Sequence, residues 1–256
     1  IPLPQSTSIK MVRRSSVVVG LVLVAFLGTV LSVPIWNRIV GGQLAEDTQM
    51  PYQIALFYQG SFRCGGSIIG DRHVLTAAHC VMDDDVLLPA FKFGVHAGSA
   101  HLNAGGKLFK VRAVYPHEGY GNFQHDIAVM EMKEPFAFDK YIQPIELMDE
   151  EVPLGGEVVI SGYGRVGSNG PVSPALLYTS MFVVEDENCN SISEGLMCID
   201  KEGSYGACNG DSGGPAVYDG KLAGVANFII DQCGGNFADG YAKVSFYLDW
   251  IRQFLE

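Results

Sequence analysis

The chain has 256 residues, of which 48% are hydrophobic, 18% charged and 11% aromatic, enough apolar content to bury a sizeable core. Its formal net charge of -11 is unevenly spread: the first 38 residues hold Lys10, Arg13, Arg14 and Arg38 and no acid, which leaves 13 basic against 28 acidic side chains in the rest. An acidic body of that kind repels phosphates, so no nucleic acid partner is expected.

Residues 1–10, "IPLPQSTSIK", precede Met11 and read either as flanking sequence before an initiator or as a long polar start. From Met11 onward, Arg13 and Arg14 come before the apolar stretch "VVVGLVLVAFLGTV", and Ser32, with Val30 two residues before it, suits a cleavage site. Residues 11–32 therefore read as a secretory signal peptide. The uncharged run continues to Trp36, about 20 residues, which leaves an uncleaved membrane anchor as the alternative.

Beyond Ile39, short apolar or alternating runs follow one another, separated by Gly, Pro, Asn and Asp: "QIALFYQ", "GSIIG", "HVLTAA", "LFKVRAVYP", "IAVMEM", "EVVISGYG" and "LYTSMFVV". Their length and spacing predict an all-β sandwich or barrel. The segment "AVYDGKLAGVANF" predicts a hairpin, because Asp219-Gly220 supplies the positive φ angles of a two-residue turn. At the C-terminus, Leu248, Ile251 and Leu255 recur at helical spacing and predict an amphipathic helix. The stretch "VGSNGPVSP" (166–174) has the strongest loop composition and is the expected site of proteolytic nicking.

The six cysteines, Cys64, Cys80, Cys189, Cys198, Cys208 and Cys233, are an even number in a chain read as secreted. Three bridges are expected, with fifteen pairings open to sequence alone. No cysteine or histidine spacing suits zinc, and no sequon for N-glycosylation is present.

Three segments carry candidate chemistry. "CNGDSGGP" (208–215) sets Ser212 in a glycine-rich turn, "LTAAHC" (75–80) places His79 beside a cysteine, and "HDIAVM" (125–130) sets Asp126 before an apolar run. A serine hydroxyl needs a base within hydrogen-bond reach and an acid to orient that base, and these residue types supply the set. Taken singly, each has a plainer reading as a turn, surface or core residue. Together with "IVGG" at 39–42, and in this order, the motifs resemble the chymotrypsin (trypsin-like) serine protease family and are similar to its arthropod digestive or secreted members.

The resemblance covers residues 39–256 and implies two six-stranded antiparallel β-barrels, roughly 39–140 and 141–256, with a short C-terminal helix. It implies His79 as general base, Asp126 as its orienting acid and Ser212 as nucleophile, with the N–H groups of Gly210 and Ser212 forming the oxyanion hole. It also implies the bridges Cys64–Cys80, Cys189–Cys198 and Cys208–Cys233. Cleavage after Arg38 by a trypsin-like activating protease would free the α-amine of Ile39 to pair with Asp211, making the chain a zymogen with residues 33–38 as its activation peptide. No cysteine precedes Cys64, so that segment cannot stay tethered, and the mature enzyme is expected to be extracellular without stable membrane association.

By the same resemblance, the base of the primary specificity pocket is Gly206, where trypsin-like members carry Asp. The walls include Asn227, Phe228 and Ile229, with Ile230 able to exchange roles with Ile229, and Asp239 stands at a second wall position. A glycine base with Ile229 near the mouth favours small to medium apolar residues before the scissile bond, while Asp239 offers an acid for Lys or Arg. Asn227 replaces a usual Ser and its amide is expected to donate to Asp126; Phe228 replaces a usual Trp. The calcium loop of relatives lacks its acids here, since residues 93–111 contain no Asp or Glu, so neither a metal nor another cofactor is expected. Protein substrates and protein inhibitors are the expected partners. The alternative class is a catalytically silent, protease-shaped binding protein.

Overall fold

The computed structural model describes residues 1–2, 39–121, 124–189 and 193–255. The expected signal peptide, the activation segment and Arg38 lie outside the described residues. The elements run in order β1 (Gln43–Leu44), β2 (Gln53–Tyr58), β3 (Ser61–Ile68), β4 (His73–Thr76), β5 (Met82–Asp83), β6 (Val86–Leu87), β7 (Phe93–Ala97) and β8 (Lys107–Pro116). They continue with β9 (Ala128–Met132), β10 (Glu146–Leu147), β11 (Glu157–Gly162), β12 (Leu177–Val184), β13 (Leu196–Asp200), β14 (Pro215–Tyr218), β15 (Lys221–Phe228), β16 (Asp239–Lys243) and the helix α1 (Val244–Arg252).

Six strands close the first barrel in the order β2-β3-β4-β9-β8-β7. The second runs β12-β11-β14-β15-β16-β13, and the additional β12–β13 pairing closes it. All of these pairings are antiparallel. Closure removes sheet edges that would otherwise offer unpaired backbone groups. Inward positions alternate with outward ones along β7 and much of β8, so the inside of the barrel is filled by residues such as Phe93, Val95, Phe109 and Val111. The Asp219-Gly220 turn between β14 and β15 has positive φ at both positions, 46° and 76°.

The helix buries Val244, Tyr247, Leu248 and Ile251. Three of them, Val244, Tyr247 and Ile251, join the cluster formed by the first barrel, together with Leu222, Val225 and Ala242 from the second. The helix thereby joins the two barrels. Polar contacts cross the same seam: Ser161 Oγ donates to Gln53 Oε1 at 2.7 Å, and Gly65 N donates to the Ser212 carbonyl at 2.8 Å. Among the described residues no helix is long and apolar enough to cross a membrane.

Candidate active site

Each candidate side chain sits at the end of a strand, where the barrels meet. His79 lies in a single 3-10 turn, Ala78–Cys80, directly after β4. Asp126 precedes β9, the strand paired with β4, and it is fully buried. Its carboxylate accepts the His79 backbone N–H at 2.8 Å and faces His79 Nδ1 at 2.7 Å. A carboxylate can only accept, so Nδ1 carries a proton, and in the neutral ring Nε2 is then the nitrogen with the free lone pair.

Ser212 lies between β13 and β14 of the second barrel and lines one cavity of about 400 Å³ with His79, Gly210, Asn227, Phe228 and Ile229. No hydrogen bond joins Ser212 Oγ to His79, whose Nε2 lies 3.7 Å from Cys80 Sγ. The glycines beside the serine have steric reasons. Gly210 has φ +100°, and a Cβ there would come within 3.0 Å of Phe62 and 3.1 Å of Gly164 Cα. At Gly213, φ is +77° and a Cβ would overlap Thr76 Oγ1 and lie 2.8 Å from the Gly65 carbonyl. Both positions need left-handed backbone that L side chains rarely adopt.

The three disulfides join Cys64 to Cys80, Cys189 to Cys198 and Cys208 to Cys233. The first pins the His79 turn to β3, and the third braces the Ser212 loop. The sulfurs of Cys64 and Cys80 cluster with His79, but both are consumed in the bridge and offer no thiolate to a metal.

Behind the serine, Asp211 is buried and accepts from Gly164 N at 2.7 Å and Cys208 N at 2.9 Å. No cationic side chain among the described residues pairs with it, and burial pushes its carboxyl up to about 7. Ile39 is also buried, packed in the cluster of the second barrel, while Val40 bridges Gly206. Asp239 accepts from Ala207 N at 2.7 Å, and burial pushes its carboxyl to about 7 as well. Ala207 lines the cavity, whereas Gly206 and Asp239 stand behind it; a Cβ on Gly206 would lie 2.7 Å from the Asp239 carboxylate. Ile229 lines the cavity, and Ile230 packs instead on the cluster around Cys189 and Cys198.

Sequence reasoning passed over Arg63, in β3 beside Cys64. Its Nε donates to the Cys80 carbonyl at 2.7 Å, and its Nη2 donates to the carbonyls of Met82 at 2.9 Å and His79 at 3.4 Å. One guanidinium thus grips the turn that carries His79, next to the disulfide that does the same. The only signal in the sequence was a charge inside an otherwise uncharged strand.

Two predictions follow from this geometry. Loss of the Arg63 grip in Arg63→Ala is expected to lower kcat about tenfold with KM nearly unchanged, because misplacing a base slows chemistry without weakening binding. Arg63→Lys recovers part of the loss; equal kcat in all three proteins would contradict the role. The second concerns pH. An unfolded aspartate ionises near about 4, whereas Asp211 and Asp239 hold their protons to about 7 in the fold. Their contribution to stability is complete below the unfolded value and is lost as pH rises through about 7. Thermal melting of the unprocessed Ser212→Ala protein is expected to fall across that window, and Asp239→Asn to flatten the fall; an unchanged melting temperature would contradict it.

The comparisons with known proteins agree with this geometry. The trypsin family model matches residues 39–251. Serine protease SP24D of Anopheles gambiae is 47% identical over 218 residues, covering 84% of this chain and 80% of that protein. Trypsin delta of Drosophila erecta is 34% identical over 226 residues, 84% of this chain and 87% of that protein. Among solved structures, neuropsin, a serine protease expressed in the limbic system of mouse brain, aligns with a TM-score of 0.77 at 28% identity, covering 84% of this chain and 99% of that one. The chain therefore belongs to the trypsin family and is a serine-type endopeptidase.

Proposed function

We propose that this endopeptidase is secreted as an inactive precursor and, once cut after Arg38, hydrolyses proteins through an acyl-enzyme formed on Ser212. His79 takes the serine proton at Nε2 and returns it to the leaving amine, while Asp126 stabilises the imidazolium formed between the two steps. The N–H groups of Gly210 and Ser212 stabilise the developing oxyanion, each such donor being worth about 3 kcal/mol. The observation that carries the reading is the double hydrogen bond from His79 to buried Asp126, beside a cavity shared with Ser212.

The precursor reading is supported by Asp211, a buried carboxyl with no cationic partner among the described residues, and by Ile39, which is buried in the cluster of the second barrel. Release of the Ile39 amine supplies the missing charge, and pairing offsets the penalty of a lone buried carboxylate. Secretion rests on the N-terminal apolar stretch and on three disulfides, which persist in oxidising compartments. For the peptide bond cut, Ile229 beside an apolar wall favours small to medium apolar residues, and Asp239 behind the Gly206 gap gives Lys and Arg a secondary place.

An organophosphonate reagent tests the mechanism. Labelling of Ser212 is expected after cleavage at Arg38 and at least about tenfold more slowly before it. Equal labelling of the intact chain would remove the precursor reading, and no adduct on Ser212 after processing would remove the mechanism in favour of a silent binding protein. Specificity is tested by Asp239→Ala, expected to abolish cleavage after Lys and Arg while sparing apolar sites. In the parent enzyme, the basic-to-apolar ratio is expected to rise as pH passes through about 7 and Asp239 ionises. Unchanged preferences in a mixed peptide library would refute Asp239's part.

A further inference from the structure

A second concavity, of about 670 Å³, lies on the flank of the first barrel over β7 and β8. Its walls include Phe57, Phe91 and Leu108, and the last two are 74% and 61% exposed. Two large apolar side chains so open to water within one groove mark a surface that gains from being covered. Lys92, Lys110 and Lys133 also line it, and none of the residues lining it is acidic. In a chain with 28 acids and 17 basic residues, that is a local reversal of charge. None of the three lysines forms an ion pair among the described residues, whereas Lys221, Lys243 and Arg112 each do.

The groove adjoins the scaffold of the cleft. Phe57 meets Phe62 edge-on, with ring centroids 5.9 Å apart, and Phe62 is the side chain that a Cβ on Gly210 would touch. Two aromatic rings therefore separate the groove from the loop that presents Ser212.

We propose that this groove docks an acidic segment bearing aromatic or aliphatic side chains, carried by a protein substrate and lying outside the stretch that is cut. The apolar walls take the hydrophobic side chains, and the three ammonium groups take the carboxylates. An anionic bilayer is the poorer fit, because the chain as a whole is strongly acidic and the surface is concave. The contact adds to recognition at the cleft and selects among proteins with the same cleavable bond, since linking two weak sites raises the affinity of the pair.

Fluorescence anisotropy with the uncut Ser212→Ala protein tests the docking without any proteolysis. The probe is a fluorescein-labelled peptide in which glutamate alternates with phenylalanine and leucine. Saturable binding is expected, weakening as salt is raised and falling at least about tenfold in a Lys92→Gln, Lys110→Gln, Lys133→Gln protein. Leu108→Ser keeps all three charges and is expected to weaken binding separately, through the apolar wall. A glutamine-for-glutamate peptide that binds as tightly, a triple variant that binds like the parent, or no binding at all would each overturn the proposal. So would adhesion to phosphatidylserine vesicles in the absence of peptide binding. None of these outcomes depends on Ser212 being a nucleophile, so the groove and the cleft fail or stand separately.

Discussion

A carboxylate shut away from water must find its hydrogen bonds inside the protein, and Asp126 finds two of them on one residue. The backbone N–H and the ring Nδ1 of His79 both point to it. This pairing fixes the imidazole in position and in tautomer together, and much of the surrounding structure serves to keep the two residues in register. The β4–β9 pairing brings their segments together, the Cys64–Cys80 bridge ties the His79 turn to β3, and Arg63 ties the same turn through its carbonyls. Without these constraints a histidine on a single 3-10 turn would be free to rotate away from its partner.

The serine arrives from the other barrel, so the site depends equally on how the two barrels are joined. The joint is tight at the backbone: the Ser212 carbonyl is held by Gly65 N, and Gly213 fits against Thr76 only because it lacks a side chain. The helix adds an apolar connection by packing Tyr247 and Ile251 into the cluster of the first barrel. Two buried carboxyls beside the serine loop, Asp211 and Asp239, have backbone donors but no cationic partner among the described residues, so ionising them is costly until a new amine or a basic ligand relieves it.

Much of this was legible in the amino-acid sequence because the chemistry sits in short motifs with local reasons. "LTAAHC", "HDIAVM" and "CNGDSGGP" name the residues now found around one cleft, and the alternating runs foretold most of the barrel strands. Three of the barrel strands lie outside those runs. β13, "LMCID", and β16, "DGYAK", are buried along most of their length and show no alternation, so no period marks them. β7 alternates, but it lies in the segment whose absent acids drew attention to metal binding instead. The wall of the cavity was harder still, since spacing along a chain does not tell which side of a barrel wall a carboxylate occupies. Asp239 lies behind the lining, and Arg63, whose role depends on three carbonyls some sixteen to nineteen residues away, carried no motif at all.

The state of the His79 ring is the most direct measure of the account. Nitrogen-15 NMR of the processed protein, recorded at a pH where the imidazole is neutral, distinguishes the two tautomers. The account predicts a proton on Nδ1 with a far-downfield resonance and a bare Nε2. A proton on Nε2, with Nδ1 unprotonated, would contradict it.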